Sequence, residues 1–242
     1  MRISPIHLKI KIDAIVLILF ASLCSCDSSE NNHQQALTLN FDAAIGNQRF
    51  HTGEIFEAPV GSGTFRIERF KLYISNLILT NVDGEDYLVP NSYHLLDFSE
   101  PSLQVDIPNV PVDNYNRLSF MIGVDEVSNK SIDHVGDLDP TNDMVWNWNV
   151  GYKFLLLEGN YFPSESNETI GLVYHIGFDE NTRRLEYEIK EKSPSYSFRL
   201  NVNSLFDSQH QIDFNELSNI TFSKADARKV ADNYSDGFIQ ME

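Results

Sequence analysis

The residues of this chain with the most distinctive chemistry are two tryptophans, the methionine beside them and a few scattered histidines. Met144, Trp146 and Trp148 fall together in the run Met-Val-Trp-Asn-Trp. A thioether flanked by indoles suits a soft metal such as Cu(I). The same cluster suits a hydrophobic core, because large aromatics dominate cores. The histidines beyond residue 40 are His51, His94, His134, His175 and His210. No two stand at helical ligand spacing, so only the fold can assemble a site from them. His175 stands out: in Tyr174-His-Ile-Gly177 it takes the polar side of an alternating strand pattern. His134 and His51 are the other candidate ligands. Each histidine taken alone reads more readily as a hydrogen-bonded strand or loop residue than as a ligand.

Asp137, Asp139, Thr141 and Asp143 offer oxygens at alternate positions, as a calcium loop does. The glycine and terminal acid of an EF-hand are missing, and Asx-turn chemistry explains the spacing as well. There is no Gly-x-Ser-x-Gly elbow, phosphate loop, dinucleotide fingerprint or His-Glu-x-x-His. The expectation is a protein that is not an enzyme.

The N-terminus reads as a leader. Arg2, Lys9 and Lys11 precede an apolar run from Ile12 to Leu23 that is too short to span a bilayer and fits a signal peptide. It ends in Leu23-Cys24-Ser25-Cys26, which resembles a bacterial lipobox, with cleavage before Cys26 and lipidation of its thiol. The expected layout is therefore a signal peptide over 1–25, a flexible tether over 26–36 and a folded domain over 37–242. The chain has two cysteines. One leaves with the leader and the other carries lipid, so the domain has no disulfide and no thiolate ligand. Residues 1–25 carry Arg2, Lys9 and Lys11 against Asp13, so their loss moves the net charge from −17 to −19. Such an acidic surface argues against nucleic acid. It leaves the lipid as the membrane contact of a protein in a Gram-negative cell envelope, periplasmic or surface-facing on the outer membrane.

The elements that must position these residues are strands. Leu37, Leu39 and Phe41 alternate with polar residues, as do Leu118, Phe120 and Ile122, and Leu172, Tyr174 and Ile176. The longest strand signal runs from Thr64 to Asn81. Its apolar residues change parity twice, which predicts bulges near Arg69 and Ser75-Asn76. His94, between Tyr93 and Leu95, is expected to point outward. Ser99 to Asn116, with Pro101, Pro108 and Pro111, reads as a loop, and Asp143 to Val150 as a helical turn. Ser223 caps a helix with an apolar stripe of Ala227, Val230 and Ala231. Short strands separated by frequent turns predict an all-β fold: an immunoglobulin-like, Greek-key β-sandwich with a short C-terminal helix.

Several blocks in order carry a resemblance: Arg69–Leu79, Ile122-Gly-Val-Asp125, Asp137-Leu-Asp-Pro140, Met144-Val-Trp-Asn-Trp148, Gly151-Tyr-Lys-Phe154, Leu157-Glu-Gly159 and Tyr174-His-Ile-Gly177. Over Leu37 to Phe206 the chain resembles the MbnP-like family of copper-binding proteins. The resemblance implies an exported β-sandwich that handles copper. It also implies a kynurenine made from Trp146 or Trp148 by a di-haem, peroxidase-like partner enzyme, working with histidines such as His175. This chain has Ser75 and Lys130 where the copper-binding branch carries histidines. The other expectation is a metal-free surface module that holds a protein or glycan through its aromatic loop.

Overall fold

A computed structural model of the chain describes residues 34–100, 102–147 and 149–242. The leader, the Cys26 lipidation position, most of the expected tether and Trp148 lie outside the described residues. In chain order the strands are β1 (Gln34–Ile45), β2 (Gln48–Arg49), β3 (Ile55–Glu57), β4 (Gly63–Asn81), β5 (Asp86–Leu88), β6 (Tyr93–Asp97), β7 (Leu103–Pro111) and β8 (Tyr115–Ile122). They continue as β9 (Val145–Asn147), β10 (Gly151–Pro163), β11 (Ile170–Gly177), β12 (Arg183–Glu188), β13 (Ser195–Asn201), β14 (Asn219–Ile220) and β15 (Ile239–Met241). Among the described residues two α-helices accompany them, α1 (Glu126–Asn129) and α2 (Lys224–Tyr234).

The strands form two sheets. In the smaller, β1 runs parallel to β13 and antiparallel to β7, with β15 beyond β13. The larger has the order β12-β8-β4-β10-β11-β14, with short strands added along β4 and β10. Phenylalanines knit the layer between them: Phe41 stacks on Phe198 at 5.1 Å and Phe70 on Phe98 at 4.7 Å. This is the all-β sandwich the sequence predicts.

β4 is the spine of the larger sheet and carries both expected bulges. Arg69 pairs with Glu158 and Ile67 with Gly159, which leaves Glu68 extra. Ser75 pairs with Met121 and Ile78 with Ser119, with Asn76 in the left-handed region at φ 51°. The two bulges keep Ile67, Phe70, Leu72, Ile74, Leu77 and Leu79 all turned into the core despite their changing parity.

Three local expectations are corrected. Leu103–Pro111 is strand, because β7 pairs with β1 alone and an unpaired edge accommodates Pro108 and Pro111. After a 3-10 turn at Pro140–Asn142, Asp143 turns left-handed at φ 63°. The chain then re-extends as β9 instead of coiling. His94 pairs with Ile74, which faces the core, so its side chain is turned inward and its Nε2 is buried without a partner among the described residues. The C-terminal helix forms as expected, with Ser223 Oγ accepting from the Asp226 amide.

The outer face of the larger sheet carries a second, smaller core. Tyr73, Val124, Leu138, Met144, Tyr152, Phe154 and Leu156 are buried together there, under the segment from Asp125 to Asn147.

Candidate functional site

Four of the sequence-predicted residues belong to this second layer or its border. Met144 is fully enclosed in the small core. Its backbone carbonyl accepts from the Lys153 amide at 2.7 Å, at the start of the β9–β10 pairing. Two residues on, the Trp146 indole leans over β11. A Cβ on Gly177 would lie 2.5 Å from the indole Cζ3, so the missing side chain is the seat of the ring. Phe178 and Phe222 tilt against the indole with ring centres at 5.2 and 5.5 Å. Side chains on a strand alternate, so Gly177 and His175 share one face of β11, about 7 Å apart along the strand. The structure thus brings Trp146 and His175 to the same patch.

His175 is held by charge. Its Nε2 lies 2.7 Å from Glu158 Oε1, and the other carboxylate oxygen of Glu158 accepts from Arg69 Nη1 at 2.9 Å. Arg69 reaches on to Asp143 at 3.4 Å, and Lys153 donates to the Asp143 carbonyl at 2.8 Å. Lys71 joins Asp97 at 3.0 Å and the Asn142 carbonyl at 3.3 Å. Sheet side chains therefore anchor the bend that leads into Met144 and Trp146.

Burial pushes the His175 pKa down, and this outweighs the hydrogen bond to Glu158 that raises it. For Glu158, burial raises the pKa, but the His175 hydrogen bond and the Arg69 charge together carry it below the ordinary carboxylate value. Both directions favour a neutral imidazole donating Nε2–H to a carboxylate. Nδ1 then keeps its lone pair and has no protein partner among the described residues. A histidine oriented by a carboxylate is how metal-ligating imidazoles are commonly prepared.

The other candidates are placed differently. His134 accompanies the small core: its Nε2 lies 3.1 Å from the Ser128 carbonyl and its ring centre 6.2 Å from that of Tyr152. His51 is exposed in the turn between β2 and β3. Ser75 is buried and donates to the Gly123 carbonyl at 2.8 Å, and Lys130 is exposed and paired with Glu126 at 2.6 Å. Asp139 Oδ1 accepts from both the amide and the hydroxyl of Thr141, which is the Asx-turn chemistry of this loop.

Five residues support the patch without a signal that sequence reasoning isolates. Buried Asn129 accepts from the Tyr152 amide at 2.7 Å and donates to Asp179 at 2.7 Å, joining three segments around the small core. Phe178 holds φ 68°, a conformation rare outside glycine, and Phe222 lies 76 residues beyond Trp146 in the chain. Glu158 and Arg69 are ordinary strand residues until the register sets them side by side.

Copper chemistry has a strict donor requirement. Among the described residues no three His, Cys, Asp or Glu side chains gather to hold a metal ion. His175 Nδ1 is the available nitrogen at this patch, and the Met144 thioether is enclosed. By themselves these residues do not close a copper site.

The fold and patch define a β-sandwich with a second packing layer that presents an indole and a carboxylate-held imidazole. The chain matches the MbnP family over residues 34–234 and belongs to it. The structure of MbnP from Methylosinus trichosporium is similar, with a TM-score of 0.53 at 16% identity. The match covers 74% of this chain and 80% of that one, a likeness of fold. Comparison with curated proteins finds no match.

Proposed function

We propose that this chain is a non-catalytic copper-handling protein that uses the Trp146–His175 face. It is exported and anchored by lipid on Cys26 to the cell envelope of a Gram-negative bacterium. Membership of the MbnP family supports the copper role. The observation that carries the choice of face is the Glu158–His175 hydrogen bond at 2.7 Å, which leaves the other imidazole nitrogen without a protein partner among the described residues, on the strand face that also carries Gly177, the seat of the indole. Oxidation of Trp146 or Trp148 to kynurenine by a di-haem, peroxidase-like partner belongs to the same proposal: peroxide is the oxidant, the indole C2–C3 bond breaks and C2 leaves as formate after hydrolysis, and the product would supply donors that the unmodified chain lacks.

The test is copper retention by purified protein, with and without the di-haem partner, against a competing chelator. Retention is expected to fall on His175→Ala and Trp146→Phe, and Glu158→Gln is expected to weaken binding about 10–100-fold, as loss of an outer-shell partner does. Peptide mass spectrometry reads the modification. Equal retention by wild type and His175→Ala overturns the assignment of this face. The exposed Phe222 ring favours a second reading, a metal-free module that holds a protein or glycan through its aromatic patch. Glycan binding lost on Phe222→Ala, without copper retention, selects that reading.

A further inference from the structure

We propose that Phe222 is a movable cover over the Trp146 indole that governs access to the face shared with His175. This rests on that face being the functional site. Three unusual features meet here. Trp146 Nε1 is buried with no hydrogen-bond partner among the described residues, although buried indole N–H groups usually find an acceptor. Phe178, against the indole, holds a left-handed φ of 68°, where a bulky residue is strained. Phe222, the other ring on the indole, is 58% exposed.

The floor and the cover differ in how firmly they are held. Phe178 has Lys224 Nζ at 4.9 Å over its ring, and Lys224 is itself paired with Glu180 at 2.8 Å. Gly177 fixes the seat of the indole from the sheet side. Phe222 belongs to the short connection between β14, two residues long, and the Ser223 cap of α2. Most of its surface stays in water, so turning it outward sacrifices little burial. Segments with few buried contacts are those that open locally. Opening exposes the indole N–H to an acceptor it lacks when covered.

The experiment uses the full chain with Trp148→Phe, which leaves Trp146 as the single tryptophan, excited at the red edge where tyrosine does not absorb. The probes are acrylamide, for quenching of Trp146 emission, and N-bromosuccinimide, for the rate of indole oxidation. Phe222→Ala is expected to raise both at least about twofold with an unchanged global unfolding midpoint, as loss of a local cover does. Phe222→Tyr is expected to restore the parent values. Unchanged quenching and oxidation in Phe222→Ala overturn the proposal. So does a rise that appears equally in Phe222→Tyr, or one that tracks loss of the midpoint. Neither probe involves copper, so failure of the cover is distinguishable from failure of the copper assignment.

Discussion

A methyl group at position 177 tests whether Trp146 is seated as described. An alanine Cβ there would lie 2.5 Å from the indole Cζ3 and 2.5 Å from the Tyr152 carbonyl oxygen. Carbon atoms pack at about 3.5–4.0 Å, so the overlap is roughly 1 Å or more. The carbonyl belongs to β10 and cannot rotate away, so β11 must shift at residue 177 and the indole must move off its seat. Forcing an extra methyl into a packed site costs about 1–3 kcal/mol. For a domain of this size that lowers the melting temperature by about 2–4 °C per kcal/mol, or roughly 2–12 °C in all. Gly171 is the internal control. It lies on the same strand and the same face, and a Cβ there meets nothing within 4 Å. Gly171→Ala is expected to be neutral or to stabilise by up to about 1 kcal/mol. Thermal unfolding followed by near-ultraviolet circular dichroism, with Trp146 emission read in a Trp148→Phe background, separates the two variants. Equal melting temperatures together with unshifted Trp146 emission in Gly177→Ala would refute the seat.

Three further outcomes follow from the charges and the helix. Glu158 raises the His175 pKa through its hydrogen bond and charge, so in Glu158→Gln the imidazole should titrate lower than in wild type, read by the NMR shift of its ring protons. Acid should destabilise the fold in two stages. The His175 folded value lies below the ordinary 6.5, so the stability present above pH 6.5 falls as pH drops toward that lower value; Glu158, lowered from 4.5, adds a second loss below pH 4.5. His94 is also lowered by burial, so His175→Asn should shallow the first stage of a melting-temperature profile without abolishing it. Ser223→Ala removes the cap of α2 and should cost about 1 kcal/mol in chemical denaturation.

The sandwich was legible because its strands follow a period of two, and both parity breaks in β4 mark real bulges. β7 was hidden because proline is read as a strand breaker, while its place at an edge is a tertiary fact. The extended conformation of Val145–Asn147 was hidden similarly: it depends on pairing with the start of β10 and on the left-handed turn at Asp143. At the site, Trp146 and His175 were visible as residue types. The indole's place on the His175 face of β11 depends on Gly177 having no side chain, and no periodicity encodes that. Phe222 was invisible because nothing links it to the indole until α2 packs against β11.

Why the proposed site should sit here follows from the sheet. One face of an antiparallel sheet is usually solvated, yet here Tyr73, Phe154 and Leu156 make that face apolar and the segment from Asp125 to Asn147 covers it. A loop in that position must have its carbonyls satisfied from below. Tyr73 donates to the Asp137 carbonyl at 2.7 Å and Tyr152 to that of Leu138 at 2.6 Å, while Lys71 and Lys153 reach those of Asn142 and Asp143. Burial raises the pKa of both phenols, that of Tyr152 to about 12, so they remain donors throughout the physiological range. A loop bonded at four carbonyls, in two adjacent pairs, behaves as part of the sheet. It therefore delivers Met144 and Trp146 to the border of β11 with the definition of a strand. His175, held by Glu158 and through it by Arg69, is presented to the same border, and Arg69 also reaches Asp143 of that loop. Two side chains distant in sequence are thus held in register by the sheet that both supports rest on.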